Sequence, residues 1–127
     1  MEPLTPEQQA QTDVVIYRDD VREVVRRGPT TPGNAFADYA IEARDHSLGV
    51  LESIHFQHDT IPRVGPVGTT NECLLAIVID RLRCFQSSAF ACEENGVALE
   101  FCQAALERLE DRTRRRKARG VEGTHTV

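Results

Sequence analysis

The sequence predicts an α+β protein: a small β-hairpin or sheet element followed by a long antiparallel helical hairpin. Three observations carry that expectation. A β-branched and aromatic run, TDVVIY, covers Thr12 to Tyr17. Thr69 and Glu72 form a capping-box pair at the head of a stretch whose apolar residues recur at helical period. A second helical stretch follows after Ser87 and Ser88 and reaches Gly120, a natural residue just past a helix end.

The elements follow in order. The polar opening, 1–11 (MEPLTPEQQAQ), is expected to be a flexible N-terminus. After the strand at Thr12–Tyr17, Asp19 can cap a short helix to Arg27, with Val21, Val24 and Val25 at helical spacing. Residues 28–34 (GPTTPGN) are dense in turn formers and read as a loop. Ser53–Gln57 and Ile61–Val64 look like two short strands of a hairpin around His58, Asp59 and Thr60. The first long helix presents Leu74, Leu75, Val78, Leu82 and Phe85, with Ile77 alongside. Ser88 can cap the second, which carries Glu93 and Glu94 early and presents Phe90, Val97, Ala98, Phe101, Ala105 and Leu109. Helices joined so tightly are expected to lie antiparallel. The chain thus reads as a single domain over 1–127, with a β-containing part at 12–68, a helical hairpin at 69–120 and a tail at 121–127.

Composition narrows the function. The 127 residues carry a net charge of −5, which argues against a protein that grips long nucleic acid. Between Arg108 and Arg119, however, seven basic residues face two acidic ones. An acidic body with one basic helix end suits a small anionic ligand better than a long polyanion. Cys73, Cys84, Cys92 and Cys102 form no CxxC pair and are expected to be buried structural thiols. No metal site or cofactor is expected. No signal peptide or membrane-length apolar run is seen, so the expectation is a soluble intracellular protein. His46, His55, His58 and His125 are scattered, and none pairs by sequence with a nucleophile, so no enzyme is expected.

Four features remain as candidate chemistry. Arg108, Arg112, Arg115, Arg116 and Arg119 follow helical spacing. Two i,i+4 ion pairs, Glu110 to Arg114 and Asp111 to Arg115, are the ordinary reading of such a run. They leave Arg112 and Arg116 without carboxylate partners, and a guanidinium fork matches phosphate. The loop 65–71 (GPVGTTN) feeds a helix N-terminus but lacks a Lys and Walker spacing, so turn plus cap is the preferred reading. Phe85 ends the first helix, where its ring can be core or stack a base. Asn95 is a poor mid-helix residue whose amide can have a specific partner.

The segments NECLLAIVIDRL, CFQSSAFACEENGVAL and RTRRRKARGVEGTHTV, with the preceding IHFQHDTIPRVGPVGTT, resemble a phage family, that of the first Thoeris anti-defence protein. Its helical hairpin is related to that of the anti-CBASS cyclic-dinucleotide sponge. The resemblance covers roughly residues 50 to 127. It implies a sponge that sequesters an immune second messenger without cleaving it, in the cytoplasm of the infected bacterial host. The implied ligand is glycocyclic ADP-ribose, with cyclic di- or trinucleotides for some members. The family's ligand-binding aromatic, asparagine and arginine pair fall on Phe85, Asn95, Arg112 and Arg116, and Cys84 stands where the family often has Gly. Asn95 and Arg112 lie 17 positions apart on one helix, about 25 Å at the standard rise. One small nucleotide cannot touch both within a single helix, so two protomers must share each pocket, as an isologous antiparallel dimer does. The resemblance agrees, implying dimers or hexamers built from them, an obligate oligomer. Thr124 and His125 in the tail are further ligand candidates, folding back onto a neighbouring protomer. A nucleic-acid-binding phage regulator using the arginine helix is the alternative, although neither nucleic acid nor membrane is the expected partner.

Overall fold

The computed structural model describes residues 13–127, in two compact units that divide between Thr69 and Thr70. The polar opening and Thr12 lie outside the described residues.

The first unit is built on a four-stranded antiparallel meander. Strands β1 (Val14–Arg18), β2 (Arg22–Thr30), β3 (Phe36–Ala43) and β4 (Val50–His55) pair in sequence order. The short helix expected from Asp19 to Arg27 is instead the β1–β2 turn and most of β2. Asp19 does satisfy following N–H groups as a helix cap would: Oδ1 accepts from Val21 at 2.8 Å and Arg22 at 2.7 Å. Beyond it the β-branched Val24 and Val25 pair across both edges, with Tyr17 and Val15 on β1 and with Ile41 and Ala40 on β3. Local periodicity cannot see those partners.

The two amide bonds, with the Arg22 charge beside them, hold the Asp19 carboxyl below its ordinary value. A depressed carboxylate contributes stability that is fully present above the unfolded-state pKa and lost as pH falls through the lower folded value. Urea unfolding of wild type and Asp19→Ala is therefore expected to separate the two at neutral pH and to bring them together in acid.

Of the expected loop at 28–34, Gly28, Pro29 and Thr30 belong to β2, and the turn is confined to the residues before β3, with Asn34 at φ 65°. The apolar interior of this unit is thin: among the described residues, Val25 and three β3 alanines, Ala37, Ala40 and Ala43, are its buried apolar residues. Val14, Val15, Ile16, Tyr17, Val50 and Leu51 stay exposed.

The expected hairpin at 53–64 is also corrected. Its first strand lies earlier, at Val50–His55, and Ile61–Val64 is a single helical turn, α1. Pro62 explains the change. It lacks an N–H to give to a strand ladder and its fixed φ suits a first helical turn. Gln57 ties the intervening loop, donating to the Asp59 and Gly65 carbonyls at 2.9 and 2.6 Å and accepting from Val67 N–H at 3.1 Å. The chain then returns to β4, where Phe56 and Thr69 form a parallel bridge.

Gly68 permits that return, because a Cβ there would stand 2.6 Å from the Phe56 carbonyl carbon and 2.7 Å from the His55 oxygen. Both neighbours are backbone and cannot swing aside. Gly68→Ala is expected to cost about 1–3 kcal/mol, as overpacking does, measured as a lower denaturant midpoint with an unchanged slope.

The second unit is a helix pair, α2 (Asn71–Gln86) and α3 (Glu93–Ala118). The cap of α2 is Thr70, whose hydroxyl accepts from Cys73 N–H at 3.1 Å, one residue later than the expected Thr69. Thr69 has other duties: its N–H donates to His55 and its carbonyl accepts from Gln57, both at 2.8 Å. Ser88 likewise closes α2 rather than opening α3, donating to the Phe85 carbonyl at 2.7 Å. The cap of α3 is Cys92, whose sulfur accepts from Asn95 N–H at 3.5 Å, and Glu93 and Glu94 follow in the first turn. Gln86 clamps this start, its amide exchanging two 3.0 Å hydrogen bonds with the Cys92 backbone.

The two helices pack on each other, and Leu75, Ile79 and Leu82 of α2 and Leu99, Leu106 and Leu109 of α3 are buried or half-buried. Much of the apolar face expected to form this core points elsewhere. Ile77, Val78 and Phe85 on α2, Phe90 in the turn, and Val97, Ala98, Phe101 and Ala105 on α3 are exposed, Phe90 at 74% and Phe101 at 72%. Each helix carries a broader apolar band than its partner covers, and Phe85 and Phe101 lie on the uncovered part. The expected buried thiols are corrected too: Cys73, Cys84 and Cys92 are exposed, Cys102 is half-buried, and all four are free.

Candidate functional site

The arginines of α3 have different fates, and local partners decide them. Arg114 pairs with both Asp111 and Glu110, so Asp111 serves Arg114 rather than the expected Arg115. Arg115 instead directs Nε to the Asp111 carbonyl at 3.4 Å. Arg112 is exposed and makes no ion pair or hydrogen bond with the described residues, as the sequence spacing suggested. Arg108, Asp111, Arg114 and Arg115 line an open hollow of about 320 Å³, in which three guanidinium groups face one carboxylate.

Arg116 departs from the expectation that it lacks a carboxylate partner. Its side chain is only 10% exposed, and its Nε lies 3.2 Å from Glu122 Oε2. Nη1 donates to the Thr126 carbonyl at 2.6 Å, and Nη2 to those of Val121 and Thr124 at 3.0 and 3.2 Å. The tail itself is folded rather than extended. The helix ends in a Schellman arrangement: Gly120 N–H donates to Lys117 and Val121 N–H to Arg116, around Gly120 at φ 72°. Gly123 at φ 79° reverses the chain again, and the Arg119 guanidinium reaches the Val127 carbonyl at 3.1 Å. Thr124 and His125 are exposed on this folded segment, and the Thr124 hydroxyl accepts from Thr126 N–H at 3.2 Å. The fold-back is thus made onto the chain's own α3.

Phe85 and Asn95 occupy the other end of the helix pair, on either side of the Gln86–Cys92 clamp. The Phe85 ring is 40% exposed, with the Arg81 guanidinium 5.7 Å from its centroid. The signal for this pair in the sequence is an arginine four residues before an aromatic on a helix, a spacing the candidate residues above do not include. Asn95 is half-buried, and its side-chain amide makes no hydrogen bond with the described residues. Within one chain, then, α2 and α3 bring Phe85 and Asn95 to one end and leave Arg112 at the other.

In the first unit the histidines are less scattered than they read. His55 Nδ1 lies 2.6 Å from Asp38 Oδ1 across the β3–β4 register, and the His58 ring centroid is 5.6 Å from that of His55. Only a register assignment could have revealed this pair. Among the described residues, no three His, Cys, Asp or Glu side chains gather as metal ligands, and no helix is long and apolar enough to cross a membrane.

No family model matches the sequence. Among curated proteins, Thoeris anti-defense 1 of Bacillus phage SBSphiJ7 is 46% identical over 77 residues, covering 61% of this chain and 54% of that protein. The chain therefore spans about half the length of the curated relative it matches. An identity of 46% across that span bears out the resemblance carried by the helical segments: the chain is related to the Thoeris anti-defence proteins.

Proposed function

We propose that this protein is a phage anti-defence sponge, which binds a cyclic nucleotide immune messenger and holds it without cleaving it. The first choice of ligand is glycocyclic ADP-ribose, with cyclic di- or trinucleotides as further ligands, and the setting is the cytoplasm of the infected bacterial host. The observation that carries the reading is Arg112, an exposed guanidinium with no carboxylate or carbonyl partner among the described residues, one turn from the equally unpartnered Arg108 on a helix where Arg114, Arg115 and Arg116 are engaged. Such a fork is available for bidentate phosphate recognition. The name of the relative supports an anti-defence role, and Phe85 with the unpartnered Asn95 amide supplies a stacking face and a base-edge partner.

Self-association belongs to the same reading. Asn95 and Arg112 are separated by about 25 Å along α3, so one nucleotide takes the Phe85–Asn95 end of one antiparallel hairpin and the Arg112 end of another. An isologous dimer does this twice, giving two equivalent pockets, and hexamers follow by association of dimers. The exposed Phe90, Val97 and Phe101 favour such burial.

The test is incubation with a panel of cyclic nucleotides, followed by denaturation and chromatography of what is released. Intact recovery of one compound is the expected result, and recovery of an altered product overturns sequestration in favour of catalysis. The arginines of α3 also favour a second reading, a nucleic-acid-binding regulator, which requires DNA affinity that falls steeply with salt. A sponge shows none.

A further inference from the structure

We propose that Gln86 acts as a positioning residue, holding the Phe85 ring and the Asn95 amide in one fixed arrangement so that the base of a nucleotide meets a preorganised end. This role rests on the sponge reading and adds to its site a residue that touches no ligand. Phe85 lies in the last turn of α2 with Gln86 next to it in the chain, while Asn95 lies in the first turn of α3. Among the described residues, the hydrogen bonds that cross from α2 to the start of α3 both belong to the Gln86 side chain. Nε2 donates to the Cys92 carbonyl and Oε1 accepts from the Cys92 N–H, each at 3.0 Å. A side-chain amide can do both, because it carries a donor and an acceptor side by side. Cys92 passes the hold on. Its sulfur accepts from Asn95 N–H at 3.5 Å, and its carbonyl also accepts from Gly96 N–H at 3.1 Å. The place of Asn95 thus follows from that of Cys92, and the place of Cys92 from Gln86.

The other bonds of the turn do not substitute for this clamp. The Ser87 and Ser88 hydroxyls donate back to the Arg83 and Phe85 carbonyls of α2, and Ala91 N–H donates to Ser88 within the turn. Glycine at position 96 leaves room for the amide: a Cβ there would stand 3.1 Å from Gln86 Nε2, tighter than ordinary contact. Gln86 is half-buried, whereas the Phe85 ring is 40% exposed and the Asn95 amide has no partner among the described residues. The two groups offered to a ligand are therefore uncommitted, and the group that sets their spacing is fully engaged. A nucleotide arriving at this end pays little to order it.

The experiment uses the full chain, with Gln86→Ala alone and combined in turn with Asn95→Ala and with Arg112→Ala. Hydrogen exchange of the ligand-free proteins reads the clamp, and calorimetric titration with glycocyclic ADP-ribose reads binding. Gln86→Ala is expected to speed exchange of the Cys92 and Asn95 amides by about tenfold or more while Leu99–Leu109 keeps wild-type protection. It is expected to weaken binding about three- to tenfold, the worth of one modest hydrogen-bonding arrangement. Two double-mutant cycles separate positioning from a purely structural role. The Gln86→Ala loss is expected to shrink to a minor part of itself once Asn95 is alanine, since no amide is left to place, and to multiply in full with the Arg112→Ala loss at the other end. Unchanged exchange at Cys92, wild-type affinity in Gln86→Ala, or a loss that multiplies in full with that of Asn95→Ala each overturns the proposal. If Gln86→Ala loses protection throughout α3, Gln86→Met replaces it, keeping the length of the side chain while removing both hydrogen bonds. A wild type that does not bind glycocyclic ADP-ribose overturns that choice of ligand and the affinity half of this role, whereas the exchange data judge the clamp separately.

Discussion

Replacing Arg112 with alanine is expected to weaken capture of glycocyclic ADP-ribose roughly ten- to a hundredfold while leaving the unfolding transition unchanged. The two halves of that expectation have separate grounds. Stability is spared because Arg112 is exposed and bonded to nothing among the described residues, so its removal orphans no buried group. Affinity falls because a charge-assisted contact to phosphate is worth about 1.5–3 kcal/mol, and 1.4 kcal/mol is about a factor of ten. Arg114→Ala is the control. Its guanidinium is already engaged by Asp111 and Glu110, so it has less to offer an anion. Calorimetric titration of both variants decides the matter: wild-type affinity in Arg112→Ala removes this residue from the site, and an equal loss in Arg114→Ala reduces the effect to net charge.

Arg112 and Arg116 also show where sequence reasoning reaches its limit. Their spacing makes them look equivalent, four residues apart in a basic run with no carboxylate at i±4. Arg112 behaves as that spacing suggests. Arg116 does not, because its partners come from a segment that returns over the helix end, and i,i+4 rules cover only the helix itself. Gly120 as a helix terminator was legible, since left-handed φ at such a position is a local property. What Gly123 does next was not.

The fold divides the same way. The α+β class and the two long helices were readable because helical period and capping are local signals. Asp19–Arg27 was misread because three valines at helical spacing satisfy either template, and sheet partners on both sides decided for β2. Ile61–Val64 was misread because β-branched flanks outweighed Pro62. The faces of the helix pair were misread for a different reason. A helix with a broad apolar band gives one periodic signal, and the sequence does not say which part of it the helix's own partner takes.

The uncovered part of that band leads to the expectation with the largest effect: Phe101→Glu is expected to raise the dissociation constant of the proposed dimer by about a hundred- to ten-thousandfold and to abolish nucleotide capture with it. At 100° per residue, Val97, Phe101, Arg108, Arg112 and Arg115 fall on one side of α3. The exposed aromatic stripe and the unpaired cation therefore share a face, 11 residues from Phe101 to Arg112. Burying a phenylalanine side chain is worth about 1.5–3 kcal/mol. An isologous interface counts each substitution twice, giving about 3–6 kcal/mol before the cost of desolvating a carboxylate is added. On the proposed reading capture falls in step, because that pocket takes its Phe85–Asn95 end and its Arg112 end from different protomers. Light scattering at micromolar concentration reads the mass, and titration of the same samples reads the ligand. A wild-type monomer that binds one nucleotide tightly, or a Phe101→Glu monomer that still does, is incompatible with a shared pocket. A Phe101→Glu variant that keeps the wild-type mass shows that the interface lies on some other face. The helix pair itself should survive in every case, since Phe101 is 72% exposed and the α2–α3 packing rests on Ile79, Leu99 and Leu106.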